Sequence, residues 1–170
     1  CFKIFIMHQN QQYITIMKIT KKSQNTMLTY SQFKYCPKCA RETLIPLHAN
    51  GCECTSCSMK YFQNTAAATG ALITTPEGLL LAVRAQEPSI GLLDIPGGFA
   101  DYNESLEDAL RREINEELNI DISELSYFGS FPNVYTYADI TYFTIDAIFT
   151  AYWDDIDSIM SSSPRQLFLK

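Results

Sequence analysis

Two groups of side chains in this 170-residue chain have types and spacings that could do chemistry. The first is Cys36, Cys39, Cys54 and Cys57, which read as CPKC, then 14 residues, then CTSC. Each CxxC places two thiols on one tight turn. Two such turns joined by a hairpin can close around a tetrahedral Zn²⁺. A pair of disulfides is the other reading, and the redox poise of a cytosolic setting disfavours it. A four-thiolate site leaves no coordination position open, so its expected role is to fold a segment too small to have its own core. Cys52 is an alternative ligand, but the paired geometry favours Cys54 and Cys57. The second group is Glu113, Glu116 and Glu117, spaced i, i+3 and i+4, whose carboxylates would share one face of a helix. A solvated helix face is one reading of them. A bound cation that neutralises three crowded like charges is the other.

The elements that must position these groups are legible around them. Ala66 to Thr74 and Leu79 to Ala85 are strand-length apolar runs separated by Thr75, Pro76, Glu77 and Gly78, which predicts a hairpin. A third run, Leu92 to Ile95, ends at Pro96, Gly97 and Gly98, where glycine permits positive φ or close backbone approach. Ser105, with Asp108 three residues on, predicts a helix start, and Leu106, Ala109, Leu110, Ile114 and Leu118 form its buried stripe. Asn119 stands where the helix should end in the left-handed conformation. From Tyr135 to Phe149 the chain alternates like half-buried strand. After Trp153 it offers a short helix at Asp155 to Met160 and no full closing helix, the pattern expected of a C-terminally truncated domain.

Composition narrows the class. The chain has 19 acids against 13 bases, a net charge of −6, and 46% hydrophobic residues, enough for one compact domain plus a small module. An acidic balance argues against broad nucleic-acid binding, because that mode depends on clustered Lys and Arg. No apolar run is long enough to span a membrane and no secretory signal is evident, so a cytoplasmic protein with no membrane partner is expected. Eleven of the acids fall between Glu87 and Glu124. Residues 1–33 are rich in Gln, Asn, Ser, Thr and Lys and are expected to form an unstructured extension, a small added strand or helix being the alternative. The start at Cys1 suggests a fragment or an extended gene product, with Met17 or Met27 as candidate true starts.

The segment from Gly98 to Ile120 resembles the Nudix box of the Nudix hydrolases. Gly98, Glu104, Arg112, Glu113, Ile114, Glu116, Glu117 and Ile120 match its pattern in register, eight of nine defined positions over 23 residues, with Asn119 in place of the last glycine. The resemblance implies an α/β/α sandwich with a mixed sheet over residues 64–170, preceded by a zinc ribbon at 34–62. It also implies Mg²⁺ or Mn²⁺ held by Glu113, Glu116, Glu117 and the Gly97 carbonyl, with Arg112 paired to Glu104 to orient the glutamates. Such enzymes split a nucleoside diphosphate linked to another group, one glutamate serving as a candidate base.

Zinc knuckles followed by an aromatic pair, here Tyr61 and Phe62, are similar to those of the NADH pyrophosphatases of this superfamily. That likeness implies cleavage of NAD(H) to a mononucleotide plus AMP, and a homodimer. The family's SQPWPFP motif is kept here only at Ser130 and Pro132, so ADP-ribose and oxidised nucleoside triphosphates stay open as substrates. A non-catalytic module that binds a nucleotide or RNA is the reading from outside the enzyme class. Phe131, Tyr135 and Tyr137 are candidate substrate contacts that could stack on a base or nicotinamide ring, and ordinary strand packing explains them equally well.

Overall fold

The computed structural model describes residues 33–48, 50–85, 90–137, 140–163 and 167–169. The expected extension therefore lies, up to residue 32, outside the described residues. Among the described residues, chain contacts divide the molecule into two units, one built on 66–133 and 144 onward, the other on 33–65 with the segment 134–143.

The first unit holds a mixed sheet. The expected hairpin is present as β4 (Ala66–Thr75) and β5 (Gly78–Val83), antiparallel with Ile73 opposite Leu80 and Thr75 opposite Gly78. The third apolar run contributes β6 (Leu93–Asp94) on β5, and the two glycines enter β7 (Gly97–Phe99) on β4. The alternating stretch divides between β8 (Ser126–Tyr137) and β9 (Ile140–Tyr152). β9 runs parallel to β4, Thr69 opposite Ala147 and Ala71 opposite Phe149. A segment with no strand signal of its own, β10 (Leu167–Leu169), pairs antiparallel with β5, giving the order β10-β5-β4-β9-β8.

Two helices accompany this sheet, α1 (Leu106–Leu118) and α2 (Ile156–Ser162). The strand period of two separates the sheet's faces. On one, Ala71, Ile73, Leu80, Ala147 and Phe149 pack with Leu110, Ile114 and Leu118 of α1 and Ile159 of α2. The Ser163 hydroxyl, at the end of α2, donates to the Glu117 carbonyl. The other face carries Leu72, Leu81, Ile95 and Ile148 with Phe131, and no described helix joins that cluster. Among the described residues no helix is long and apolar enough to cross a membrane.

The second unit contains a three-stranded antiparallel sheet of β1 (Leu44–Leu47), β2 (Gly51–Cys54) and β3 (Lys60–Phe62). Its two cysteine turns repeat one geometry. The Ala40 N–H donates to the Cys36 carbonyl at 2.8 Å and the Ser58 N–H to that of Cys54 at 2.9 Å. Both Ala40 and Ser58, each directly after the second cysteine of its pair, have φ of 56°. Neither is a glycine, so each turn is held in a conformation an L-residue disfavours.

Candidate active site and metal centre

The glutamate group is built by α1. Ser105 caps the helix, its hydroxyl accepting the Asp108 N–H at 3.1 Å. At the other end Asn119 takes the left-handed conformation (φ 57°, ψ 38°) while its N–H reaches the Asn115 carbonyl. Between these caps the apolar stripe fixes the rotation of the helix, and the rotation fixes where the carboxylates stand.

Arg112 organises the group. Its Nε donates to Glu104 Oε1 at 2.9 Å and its Nη2 to Glu104 Oε2 at 3.1 Å, a two-pronged pairing of the kind that gives both strength and direction. Its Nη1 donates to Glu113 Oε1 at 2.9 Å and to Glu116 Oε2 at 3.4 Å, and its Nη2 also reaches the Phe99 carbonyl. Glu104 holds the guanidinium proton more tightly still, with Glu113 adding to the effect. In return the hydrogen bond from Arg112, supported by the Asp101 N–H, keeps the Glu104 carboxyl below the usual carboxylate range.

Glu117 faces elsewhere. It is 6% exposed, and its Oε2 accepts the Gly97 N–H at 3.3 Å. Gly97 is required here by backbone space, and Gly98 leaves room for the Glu113 side chain. A Cβ on Gly97, whose φ is 147°, would come within 2.2 Å of the Thr69 carbonyl oxygen, and one on Gly98 within 2.3 Å of Glu113 Oε1. Gly97, Gly98, Glu104, Arg112, Glu113, Glu116 and Glu117 thus sit in one region. The carboxylates are drawn to different donors, and among the described residues they do not form a closed ligand cluster; the cysteines do.

Four carboxylates stand against the single guanidinium of Arg112, leaving the region strongly negative. Its donors are hard oxygens, the set that suits Mg²⁺ or Mn²⁺ and not a thiophilic metal.

In the other unit the Sγ atoms of Cys36, Cys39, Cys54 and Cys57 all lie within 4.8 Å of one another, and none is in a disulfide. Cys36 to Cys57 and Cys39 to Cys54 are both 3.7 Å. Tetrahedral ligation with metal–sulfur bonds of about 2.3 Å requires sulfurs about 3.8 Å apart, so the cluster is sized for one ion. The Thr43 hydroxyl, 3.1 Å from Cys54 Sγ, brings that thiol down to about 6. Cys57 receives a backbone hydrogen bond from Met59 that opposes the shift, yet burial and the neighbouring thiols push it up to about 11. Thiols this close cannot all ionise unless a cation shares their charge. Cys52 is outside the cluster, buried against an apolar hollow lined by Phe33, Tyr35, Pro37, Leu44 and Tyr61.

Of the aromatic candidates, Phe131 packs on the sheet face away from α1, with Phe128 stacked 6.4 Å from it. The side chains of Tyr135 and Tyr137 lie outside the described residues. A group that sequence reasoning missed is Asp146, 5% exposed, whose carboxylate accepts from Thr144 and Asn133. Asn133 and Asp146 meet only through strand pairing, and no local spacing announces that.

The NUDIX domain family model matches residues 64–160, more than half of the chain. The chain is similar to the NAD-capped RNA hydrolase ndx-9 of Caenorhabditis elegans, 31% identical over 105 residues that cover 61% of this chain and 28% of that protein. It is also similar to the NAD-capped RNA hydrolase NudC of Haemophilus influenzae (strain PittGG), 26% identical over 144 residues covering 77% and 54%. Among solved structures, the NUDIX hydrolase from Nitrosomonas europaea matches with a TM-score of 0.52 at 25% identity, covering 81% of this chain and 78% of that one. The chain spans about half or less of the length of these curated relatives. The family match, the capped box helix and the mixed sheet it packs on agree, and the chain belongs to the NUDIX domain family.

Proposed function

We propose that this chain is a divalent-metal-dependent hydrolase of nucleoside diphosphate linkages, with NAD(H), cleaved to a mononucleotide plus AMP, as its substrate. The observation that carries the reading is the arrangement of Glu113, Glu116 and Glu117 about Arg112 and the Gly97–Gly98 strand. Glu113, Glu116, Glu117 and the Gly97 carbonyl would hold Mg²⁺ or Mn²⁺. When bound, that ion supplies Lewis-acid neutralisation of the diphosphate and a lowered pKa for the attacking water.

The chain's own residues do the rest. Glu104 fixes the Arg112 guanidinium from both prongs, and Arg112 then holds Glu113 and Glu116 in position. The absence of a Cβ at Gly98 lets the Glu113 carboxylate lie against the backbone. Glu116 is the most exposed of the carboxylates Arg112 touches, its side chain at 58%, and so the best placed to take a proton from an incoming water. Zn²⁺ is the ion we assign to the four cysteines, in a structural role. The two relatives named as NAD-capped RNA hydrolases support the NAD(H) assignment.

The test is to separate the products formed from NADH, NAD⁺, ADP-ribose, a nucleoside triphosphate and an NAD-capped RNA in Mg²⁺ or Mn²⁺. AMP and reduced nicotinamide mononucleotide from NADH is the expected result. Turnover of ADP-ribose or the triphosphate alone would overturn the NAD(H) assignment.

A further inference from the structure

Asp146 lies on the sheet face opposite the box helix. It pairs across β4 and β9 with Ala68, and Ala68 pairs with Phe99 of β7. The three residues share one row and therefore one face. Ile148, two residues along β9, packs there with Ile95 and Phe131. In this apolar setting Asp146 is 5% exposed and Thr144 is 3% exposed.

The Thr144 hydroxyl donates to Asp146 Oδ1 at 2.7 Å, and Asn133 Nδ2 donates to Oδ2 at 3.0 Å. Among the described residues no cation pairs with this carboxylate. Taking a carboxylate out of water with only neutral donors is unfavourable, and apolar residues of similar volume commonly serve a fold as well as a buried charged group. Each oxygen accepts one hydrogen bond here and a carboxylate can accept about four, so acceptor capacity remains on a rigidly oriented group.

The position suits the nucleoside half of a substrate. β7 separates the two regions: Gly98 faces Glu113 on the box side, while Phe99 shares the row of Asp146, ~10 Å away across two strand spacings of about 4.8 Å. Phe131, two residues before Asn133 on β8 and half-buried between Phe128 and the apolar cluster, puts an aromatic edge beside the same face.

We propose that Asp146, held by Thr144 and Asn133, recognises the substrate's purine by accepting a hydrogen bond from its exocyclic amino group. The inference rests on the reading of the chain as a nucleotide hydrolase. A carboxylate only accepts, so it favours a base with an exocyclic amino group, the 6-amino of adenine or the 2-amino of guanine, over hypoxanthine, which has none.

The test is equilibrium binding of AMP, GMP and IMP to the full chain by calorimetry. AMP or GMP should bind at least ~10-fold more tightly than IMP. Preference for AMP fits an adenylyl substrate; preference for GMP supports the site and moves the substrate to a guanylyl one. Asp146→Asn should abolish the preference, since an amide can turn either atom toward the base. Thr144→Val, which keeps the side chain's shape, should reduce it. Equal binding of all three by the wild type, or a preference that survives in Asp146→Asn, overturns the proposal. If the variant does not fold, the wild-type comparison and Thr144→Val still decide. Failure of the hydrolase reading has a different signature, the lack of any metal-dependent product from any diphosphate.

Discussion

Arg112 has four side-chain and backbone partners around one guanidinium, and the consequences can be stated residue by residue. The Arg112 hydrogen bonds depress the pKa of Glu104 in the folded state. Their contribution to stability is therefore complete above the ordinary carboxylate pKa and is lost as pH falls through the lower folded value. Thermal melts of wild type and Glu104→Gln should differ at pH 7 and converge as pH drops below the usual carboxylate range. A difference that persists at the lowest pH would mean that Glu104 acts through packing and not through its charge. Gly98→Ala tests the close approach at the neighbouring strand. Its Cβ meets the end of the flexible Glu113 side chain, so Glu113 must swing away while the fold persists. We expect a near-unchanged melt with Mn²⁺ affinity weakened ~10-fold or more, read by titration of the Mn²⁺ electron-spin signal. Unchanged affinity would remove Glu113 from the ligand set.

At the scale of elements, α1 is positioned by its ends and its stripe. Ser105→Ala should cost about 1 kcal/mol through loss of the cap, and Ile114→Ala, fully buried under the helix, about 2–5 kcal/mol, both by denaturant unfolding. Asn119→Gly should be neutral or stabilising by up to about 1 kcal/mol. Asn119→Val, β-branched at positive φ, should cost about 1–2 kcal/mol. If both Asn119 variants behave alike, the left-handed cap is not what ends the helix. These features were readable because capping, periodicity and the hairpin turn are local: Ser105, Asn119 and the Thr75–Gly78 turn each occur where the residue types demand. The cysteine cluster was readable for the same reason, each CxxC being a closed local turn. What the sequence hid is non-local. The pairing of Leu167–Leu169 with β5 and the meeting of Asn133 with Asp146 depend on strand register, which side-chain types alone do not set. The carboxylates' division between Arg112 and the Gly97 N–H was equally hidden, because helical spacing places side chains on a face but does not choose their partners.

For the whole molecule, the two units should respond separately to loss of metal. A chelator strong enough to strip the cysteine cluster should make the segment from Phe33 to Phe62 sensitive to protease, while the unit carrying the box keeps its melting transition. A cluster that resists stripping, or one that proves disulfide-bonded in the purified protein, would contradict the zinc assignment. The box should be indifferent to the same treatment once Mg²⁺ or Mn²⁺ is restored, because its donors are oxygens. If the box glutamates carry a metal-dependent hydrolysis, turnover must depend on both the ion and the carboxylates. Hydrolysis of the best nucleotide substrate is followed against Mg²⁺ concentration for wild type and Glu116→Gln, with the fold of both checked by melting. The expected result is saturable activation of the wild type by Mg²⁺ and at least ~100-fold lower turnover in the variant at equal fold stability. Activity that needs no divalent ion, or that survives in Glu116→Gln, would contradict it.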